Sequence, residues 1–503
     1  ESMNSTGREL SQADLIRNYV LMGQPPELQE RLYTLHWRPM EQAFGQEAYS
    51  GNEFSAFMRD FLTLQTGEVP LLDQVYDTFK AYARRPEIEQ AGTESLLRNV
   101  HTVARRYCRI VLGKEPDTAL HQAFFNLREL KVSVVNPLLL ELYDDHEAGL
   151  LNHGEFLEAL QLLESYVFRR AVCGIPSNSH QKTFATFSRS LRKENDHYLP
   201  SFKAHLLSLS SYRRFPSDAE FRRDIQERNL YKFNKSCSYW LQKLENHQRK
   251  EPIAVANYTI EHILPQNPDL PDAWRQTLGE NWKALQEEWL HRLGNLTLTG
   301  YNAELSDRPF LEKRNHEGGF AGSPLRVNQG LGQLEAWGVE QIQARGDALA
   351  DRALQVWAAP SLPPEQLAEY GSKPLNPAAA YSLADHPQLA IPHIRTLFDA
   401  LDLGIRALDP NVYQDVLKVY IAYKCETNVV DIILQAKRLL LVINMPYSEL
   451  DDPRGLARNV TGMRRAGNGD VELGVATLEE VPYAIGLIRQ SLERQLDDAT
   501  GSP

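Results

Sequence analysis

Two short runs separated by an insert limit what this chain can become more than anything else in it. The first is Tyr258-Thr-Ile-Glu-His-Ile-Leu-Pro-Gln266. The second is His291-Arg-Leu-Gly-Asn-Leu-Thr-Leu-Thr-Gly-Tyr-Asn302, followed by Leu305-Ser-Asp-Arg-Pro-Phe310 and Lys313. The first run is β-prone and stops at a proline, which cannot continue a paired strand. It carries an acid and a histidine side by side. The second alternates apolar residues, has an early glycine and an asparagine near each end, and leads into a polar helix start. A hairpin followed by a helix would bring Glu261, His262, Asn295 and Asn302 into one pocket. An imidazole to take a proton from water, with hard oxygen donors to hold a divalent cation, is the set that phosphodiester hydrolysis requires. Oxygen donors favour magnesium or manganese over zinc. Neighbours on a regular strand face opposite sides, so Glu261 and His262 converge only if the strand bends or ends there. Pro265 supplies a reason for it to end.

These residues resemble the HNH nuclease fold, the ββα-metal finger, in the branch that forms the C-terminal half of GmrSD-type, modification-dependent restriction enzymes. The shared pattern is acid-His-Ile-x-Pro, a variable insert, Leu-Gly-Asn-Leu-Thr-Leu and a further asparagine. The resemblance implies that Glu261 is a metal ligand and His262 the general base. Asn295 would pin the hairpin loop through its amide. Asn302 would contact metal or phosphate, and Lys313 would sit near the phosphate on the following helix.

Composition neither adds to this nor conflicts with it. At 503 residues the chain is too long for one core, and no apolar run approaches the ~20 residues that span a bilayer. Cys108, Cys173, Cys237 and Cys425 are scattered without a C-x-x-C pair. With no signal-peptide pattern at the start, they suggest reduced thiols in a cytoplasmic protein. The formal net charge of −12 argues mildly against nucleic acid, but such binding depends on a local basic patch. Ser201 to Lys250 carries eleven Lys/Arg against five acids, or +6, directly upstream of the motif. It reads either as a solvated helix face or as a DNA-guiding wall that includes Arg213, Arg214, Arg222 and Arg223. His291 and Arg292 join these as candidate DNA contacts.

The chain opens without an initiator methionine, in mid-element. Asn4, Gly7, Leu10, Asp14, Leu15, Ile16 and Asn18 resemble the end of the ParB-like nucleotide-binding domain that precedes the HNH half in GmrSD-type proteins. The earlier Asp-Gly-Gln-Gln-Arg signature of that domain is absent, so residues 1–25 are expected to be its remnant. Asn4 and Asp14 read either as remains of a nucleotide pocket or as a turn and a helix cap. Nucleotide binding is expected only with the missing N-terminal part.

From 26 to 250 apolar residues recur at three- and four-residue steps, over Phe54–Phe61, Leu71–Tyr82, Leu96–Val111, Thr118–Leu130, Pro137–Tyr143 and His153–Val172. The pattern predicts a helical domain. Residues 251–357 form the HNH segment. Its insert holds Trp274, Trp282 and Trp289 as local core, and a helix over Leu334–Trp357 with an Arg/Asp-rich outer face closes it. Pro, Ala and Ser enrichment marks 358–387 as a linker. Residues 388–497 predict a separate α/β domain, with strands near Val416–Tyr423, Val429–Leu434, Leu439–Ile443 and Val471–Ala476 between two helices. The expected fold class is therefore mainly α and multidomain: a helical array, a ββα-metal nuclease domain and a C-terminal α/β domain.

The leading functional expectation is a metal-dependent DNA endonuclease. Its role in anti-phage defence and its modified or foreign DNA target are what the resemblance implies. A non-catalytic DNA-binding scaffold and an RNA-cutting toxin are the alternatives. DNA is the expected partner and no membrane is involved; a homo-oligomer or further defence subunits stay open.

Overall fold

A computed structural model describes residues 11–45, 52–177, 179–185, 187–210, 213–233, 237–255, 257–370, 383–409, 412–425, 427–463 and 469–500. By contact the chain divides into two compact units. The first takes in the chain up to Gly174, with Gln181–Leu209 and Phe215–Gln366. The second is built on the chain from Leu367 onward, with Ile175–His180 and Ser210–Arg214.

The first unit is mainly helical, and its helices begin where the local chemistry says they should. Ser11 and Asp14 form a reciprocal cap at the start of Gln12–Leu21, the Ser11 hydroxyl accepting from Asp14 N at 3.1 Å. Asp14 also pairs with Arg17 at 3.1 Å. Asp14 thus forms the helix cap that was one of its two readings; Asn4 lies outside the described residues. Asn152 and Glu155 make the same capping box before His153–Val172. The other expected helices appear as Glu53–Thr66, Val75–Ala83, Thr93–Ile110, Thr118–Glu129 and Asn136–Glu147. A π-turn at Tyr33–Trp37 had no counterpart in the periodicity. The core is aromatic-rich, with Phe44 ringed by Phe54, Phe57 and Tyr107 at centroid distances of 4.9, 5.6 and 5.8 Å.

The helical region and the segment after residue 251 share this one unit. The reason is the helix Val339–Val356, which lies against Asp218–Glu227 and ends at Trp357. The Trp357 ring stacks on Phe168 at 4.1 Å, and its indole donates to the Tyr239 hydroxyl at 3.0 Å. Arg169, fully buried, donates to Trp357 O at 2.6 Å and to Asp218 at 2.7 Å. The start of the expected linker follows this surface, since Ala358 O accepts from Ser165 Oγ at 2.9 Å. Residues 371–382 of that linker lie outside the described residues.

Two strands, β1 (Thr259–His262) and β2 (Leu296–Thr299), pair antiparallel with Glu261 opposite Thr297 and His262 opposite Leu296. Short helices Asn302–Leu305 and Phe310–Asn315 follow. A small core of Ile263, Leu264, Trp274, Phe310, Trp337 and Ile342 closes around them. The indole of Trp274 donates to the carbonyls of Asp307 and Arg308, so the insert is bound into the domain through that core.

The second unit is a six-stranded antiparallel sheet. In chain order its strands are β3 (Tyr413–Val416), β4 (Ile421–Lys424), β5 (Asn428–Leu434), β6 (Leu439–Ile443), β7 (Arg458–Asn459) and β8 (Val471–Val475). In space they run β3-β4-β5-β6-β8-β7. Val430, Ile432 and Leu434 alternate inward, as do Leu439, Leu441 and Ile443. They meet helices Pro392–Leu408 and Val481–Thr500. The single strand expected near Val416–Tyr423 is in fact a hairpin that turns over Leu417–Tyr420. No helix among the described residues is long and apolar enough to cross a membrane.

Gly294 sets the approach of two elements in the first unit. A Cβ there would fall 1.8 Å from Ile342 O on the helix Val339–Val356, so the turn before β2 lies directly on that helix's backbone. Gly294→Ala is expected to cost about 3 kcal/mol or more, since neither backbone can move aside. Urea denaturation followed by Trp fluorescence measures it, and an unchanged midpoint would show that the close approach does not matter.

Candidate active site

Asn295 is the fixed point of the site. Its side chain is fully buried and all of its polar capacity is used. Oδ1 accepts from Leu264 N at 2.7 Å and from Trp337 Nε1 at 3.1 Å, while Nδ2 donates to Leu264 O at 3.0 Å and Leu290 O at 2.8 Å. One carboxamide thus ties the loop leaving β1, the end of the insert and the later Trp337 together. On the far side of β2, buried Asn328 accepts from Thr297 Oγ1 and donates to Leu298 O and Ser323 Oγ. The guanidinium of Arg345 donates to the carbonyls of Gly294, Leu296 and Val327. Arg345 lies on the helix whose arginines were expected to face outward; instead it enters the domain to satisfy backbone carbonyls.

Neighbours on the paired strand β1, Glu261 and His262 take different partners. Glu261, 2% exposed, meets Lys313, whose ammonium is completely buried and donates to Glu261 Oε1 at 2.5 Å, to His262 O at 3.1 Å and to Ile263 O at 3.2 Å. Lys313 is therefore a clamp on the acid and the β1 exit, and its ammonium has no donor left for a phosphate. Burial pushes Glu261 up and Lys313 down from their ordinary values, and each counters the shift of the other. Asn302 donates through Nδ2 to Thr259 Oγ1 at 3.0 Å and Ile260 O at 2.8 Å. Thr259 shares a face with Glu261, so Asn302 stands on the Glu261 side of β1. Neither Glu261 Oε2 nor Asn302 Oδ1 accepts a hydrogen bond among the described residues.

His262 belongs to a different cluster. Its Nε2 lies 3.0 Å from His291 Nδ1, and the edge of its ring meets Tyr231 at 4.6 Å. The rings of Tyr231 and His291 stack, 5.2 Å apart and 5° from parallel. Nδ1 of His262 is buried and has no partner. An N–H left there would have no acceptor, so the partners favour the tautomer in which Nε2 donates to His291 and Nδ1 carries a lone pair. Burial, then His291 and Lys313, lower the His262 pKa to about 3, and the ring is neutral across the whole working range. Nothing in the sequence marked Tyr231 for this place; it lies in a basic stretch with no pattern around it.

The other expected DNA contacts are committed elsewhere. Arg222 pairs with Asp347 at 3.0 Å and Asp351 at 2.8 Å, and Arg223 with Asp224 at 2.8 Å. Arg292 donates to the carbonyls of Glu227 and Glu288, and His291 is held against His262. Lys203 meets Glu158, and Lys243 meets Glu164. Arg213 and Arg214 group with the second unit, Arg222 and Arg223 with the first. Several cations of the basic stretch thus carry acidic partners, some of them at the surface, where the Arg223 side chain is 59% exposed.

Residues 215–352 match the family model of GmrSD restriction endonucleases, C-terminal domain. The match supports a GmrSD-type restriction endonuclease family for this part of the chain. An uncharacterized protein of Haemophilus influenzae is 38% identical over 113 residues, 22% of this chain and 37% of that relative. The chain thus spans little more than a third of the relative's length.

Two outcomes follow from the buried charges. Lys313→Met leaves a carboxylate buried without its cation and should cost about 3–5 kcal/mol in urea denaturation. Adding Glu261→Gln should recover part of it, because an unpaired amide is cheaper to bury than an unpaired carboxylate. No recovery would mean that the two groups do not act as a pair. For His262, the unfolded ring has a pKa near 6.5 and the folded ring about 3. Below pH ~6.5 the unfolded chain binds a proton that the native one refuses, so stability falls as pH drops. His262→Asn should flatten this fall between pH 6.5 and pH 4.5, measured as the difference in melting temperature from wild type. Parallel curves would remove the assignment. The loss of activity near pH 6.5 that an unperturbed histidine implies should not occur on this residue's account.

Proposed function

We propose that the segment 251–357 is an HNH-type DNA endonuclease domain with His262 as its general base, in a restriction system that acts on foreign or modified DNA. The observation that carries this is the geometry of His262: Nε2 lies 3.0 Å from His291 Nδ1, and Nδ1 is buried with no hydrogen-bond partner among the described residues, as a neutral ring with its lone pair there requires. The family match over residues 215–352 supports the same reading.

The chain's own groups would divide the chemistry as follows. His262 Nδ1 takes a proton from water as its oxygen bonds to phosphorus, and the P–O bond to the leaving sugar oxygen breaks; solvent protonates that oxygen. Glu261 and His262 diverge from β1, so the phosphate would lie across the end of the strand near Pro265. Asn295 keeps that end rigid. Glu261 Oε2 and Asn302 Oδ1 are hard oxygen donors on one side of β1 and fit magnesium or manganese. Such an ion, when bound, supplies positive charge at the scissile phosphate. Lys313 already offsets the Glu261 charge, so these two donors would hold a cation weakly until the phosphate adds its oxygens. Tyr231 covers the His262 ring, and the substrate must displace it.

The closed pair of Glu261 and Lys313, with both Glu261 and His262 buried, favours one alternative, a DNA-binding scaffold without catalysis. Nicking of supercoiled plasmid in magnesium or manganese separates the two. In the nuclease reading His262→Ala loses about 10²–10⁴-fold in rate, and chelation abolishes cutting. Equal rates for wild type and His262→Ala at pH 6 to 9 would sink the proposal. Cleavage of RNA in preference to DNA would redirect it.

A further inference from the structure

A base that takes a proton from water has to meet water, and His262 does not. Its ring is 4% exposed, and Nδ1 is buried with no hydrogen-bond partner among the described residues. Two aromatic rings lie against it. Tyr231 makes a T-shaped contact at 4.6 Å and 73°, and His291 makes another at 5.1 Å and 75°. Tyr231 and His291 also stack on each other at 5.2 Å, so the three rings close as one cluster.

The members of this cluster differ in what holds them. His262 lies on β1, paired with Leu296 of β2, and the next residue donates from Ile263 N to Asn295 O at 3.0 Å. His291 follows Leu290, whose carbonyl accepts from Asn295 Nδ2 at 2.8 Å. It precedes Arg292, whose carbonyl accepts from Asn295 N at 2.9 Å and whose guanidinium donates to the Glu227 and Glu288 carbonyls. Both histidines are thus bound through their neighbours into the framework around Asn295. Tyr231 comes from a separate short turn, Leu230–Phe233, upstream of β1. Leu230 N donates to His291 O at 3.2 Å and sets the turn against the cluster. Tyr231 is half-buried, so part of it already faces solvent. Access to Nδ1 therefore falls to the displacement of Tyr231, because the histidines are fixed by the hairpin.

We propose that Tyr231 is an autoinhibitory plug: its ring keeps His262 Nδ1 from water and phosphate, and DNA entering the site lifts it away. The proposal rests on the nuclease reading of His262 and adds its regulation. The closed cluster is the resting state, and DNA draws the population toward the open one because it binds there alone. With DNA below saturation, the rate scales with the fraction of molecules already open. The stacked and edge-on ring contacts bias that equilibrium toward closure. Loss of the Tyr231 ring should accordingly raise the rate. Loss of a residue that merely supports the fold or holds the substrate would lower it.

The test reads access to His262 separately from cleavage. The full chain, without metal or DNA, is treated with diethyl pyrocarbonate near neutral pH, which modifies accessible neutral imidazoles. Each histidine is then followed by peptide mass spectrometry. Exposed His153 reports free reactivity, and buried His36 reports unfolding. In wild type, His262 is expected to react far more slowly than His153. Tyr231→Phe, which keeps the ring, should stay protected. Tyr231→Ala should react about tenfold faster or more, with His36 still protected. Tyr231→Leu, which fills the space without a ring, should fall between them and replaces the alanine variant if that one does not fold. Plasmid nicking in magnesium at limiting DNA should rise about tenfold in Tyr231→Ala and stay at the wild-type rate in Tyr231→Phe. Faster modification with no nicking by any form would sink the nuclease reading while leaving Tyr231 as the cover on His262. Rapid modification of wild-type His262, equal protection in all variants, or wild-type nicking that does not rise when the ring is removed would overturn the plug.

Discussion

The fully buried Asn295 carboxamide makes four hydrogen bonds, and the rest of the candidate site is built outward from it. Leu264 is gripped at both its N–H and its carbonyl, Leu290 at its carbonyl, and Trp337 at its indole. These four groups come from the strand exit, the end of the insert and a loop some forty residues later. A side chain with no remaining capacity cannot adopt a second arrangement without leaving a buried polar group unsatisfied, at ~1–3 kcal/mol each. The insert between the two motif runs can therefore differ in content without moving the hairpin, provided that its last residue still presents a carbonyl to Nδ2.

Glu261 and His262 are neighbours on a paired strand, where successive side chains alternate in direction, and they have different partners. Each then needs its own compensation for burial. Glu261 obtains a cation, Lys313, which also collects the two carbonyls that follow it in the chain. His262 obtains an aromatic enclosure and one ring partner, and answers burial by staying neutral. The two solutions differ because a carboxylate in a dry interior must be paired, whereas an imidazole can discard its charge within the physiological range.

The same economy governs the arginines and lysines upstream. A net surplus of six cations over Ser201 to Lys250 suggested a surface for phosphates, but Lys203, Arg222 and Lys243 each meet an acid on another helix. Arg222 is representative: its partners Asp347 and Asp351 lie more than a hundred residues away, so a local charge count sees the cation and misses its neutralisation. Arg345 inverts the error. It was read as solvent-facing from its place in a polar helix, yet it supplies donors to three carbonyls that the close approach at Gly294 would otherwise strand.

Sequence alone determined those features whose physics is local. Helix starts at Ser11 and Asn152 are legible because a cap is made within three residues. The inward alternation of β5 and β6 is legible because a strand repeats every two, and the pairing of β1 with β2 because proline, glycine and asparagine punctuate it. What tertiary structure alone decided is partnership at a distance. No spacing rule joins Lys313 to Glu261 as its clamp rather than leaving it to meet a phosphate, or seats Tyr231 against His262. Such contacts depend on which helix faces lie together after the chain has closed, and that is set by the summed packing of the whole unit.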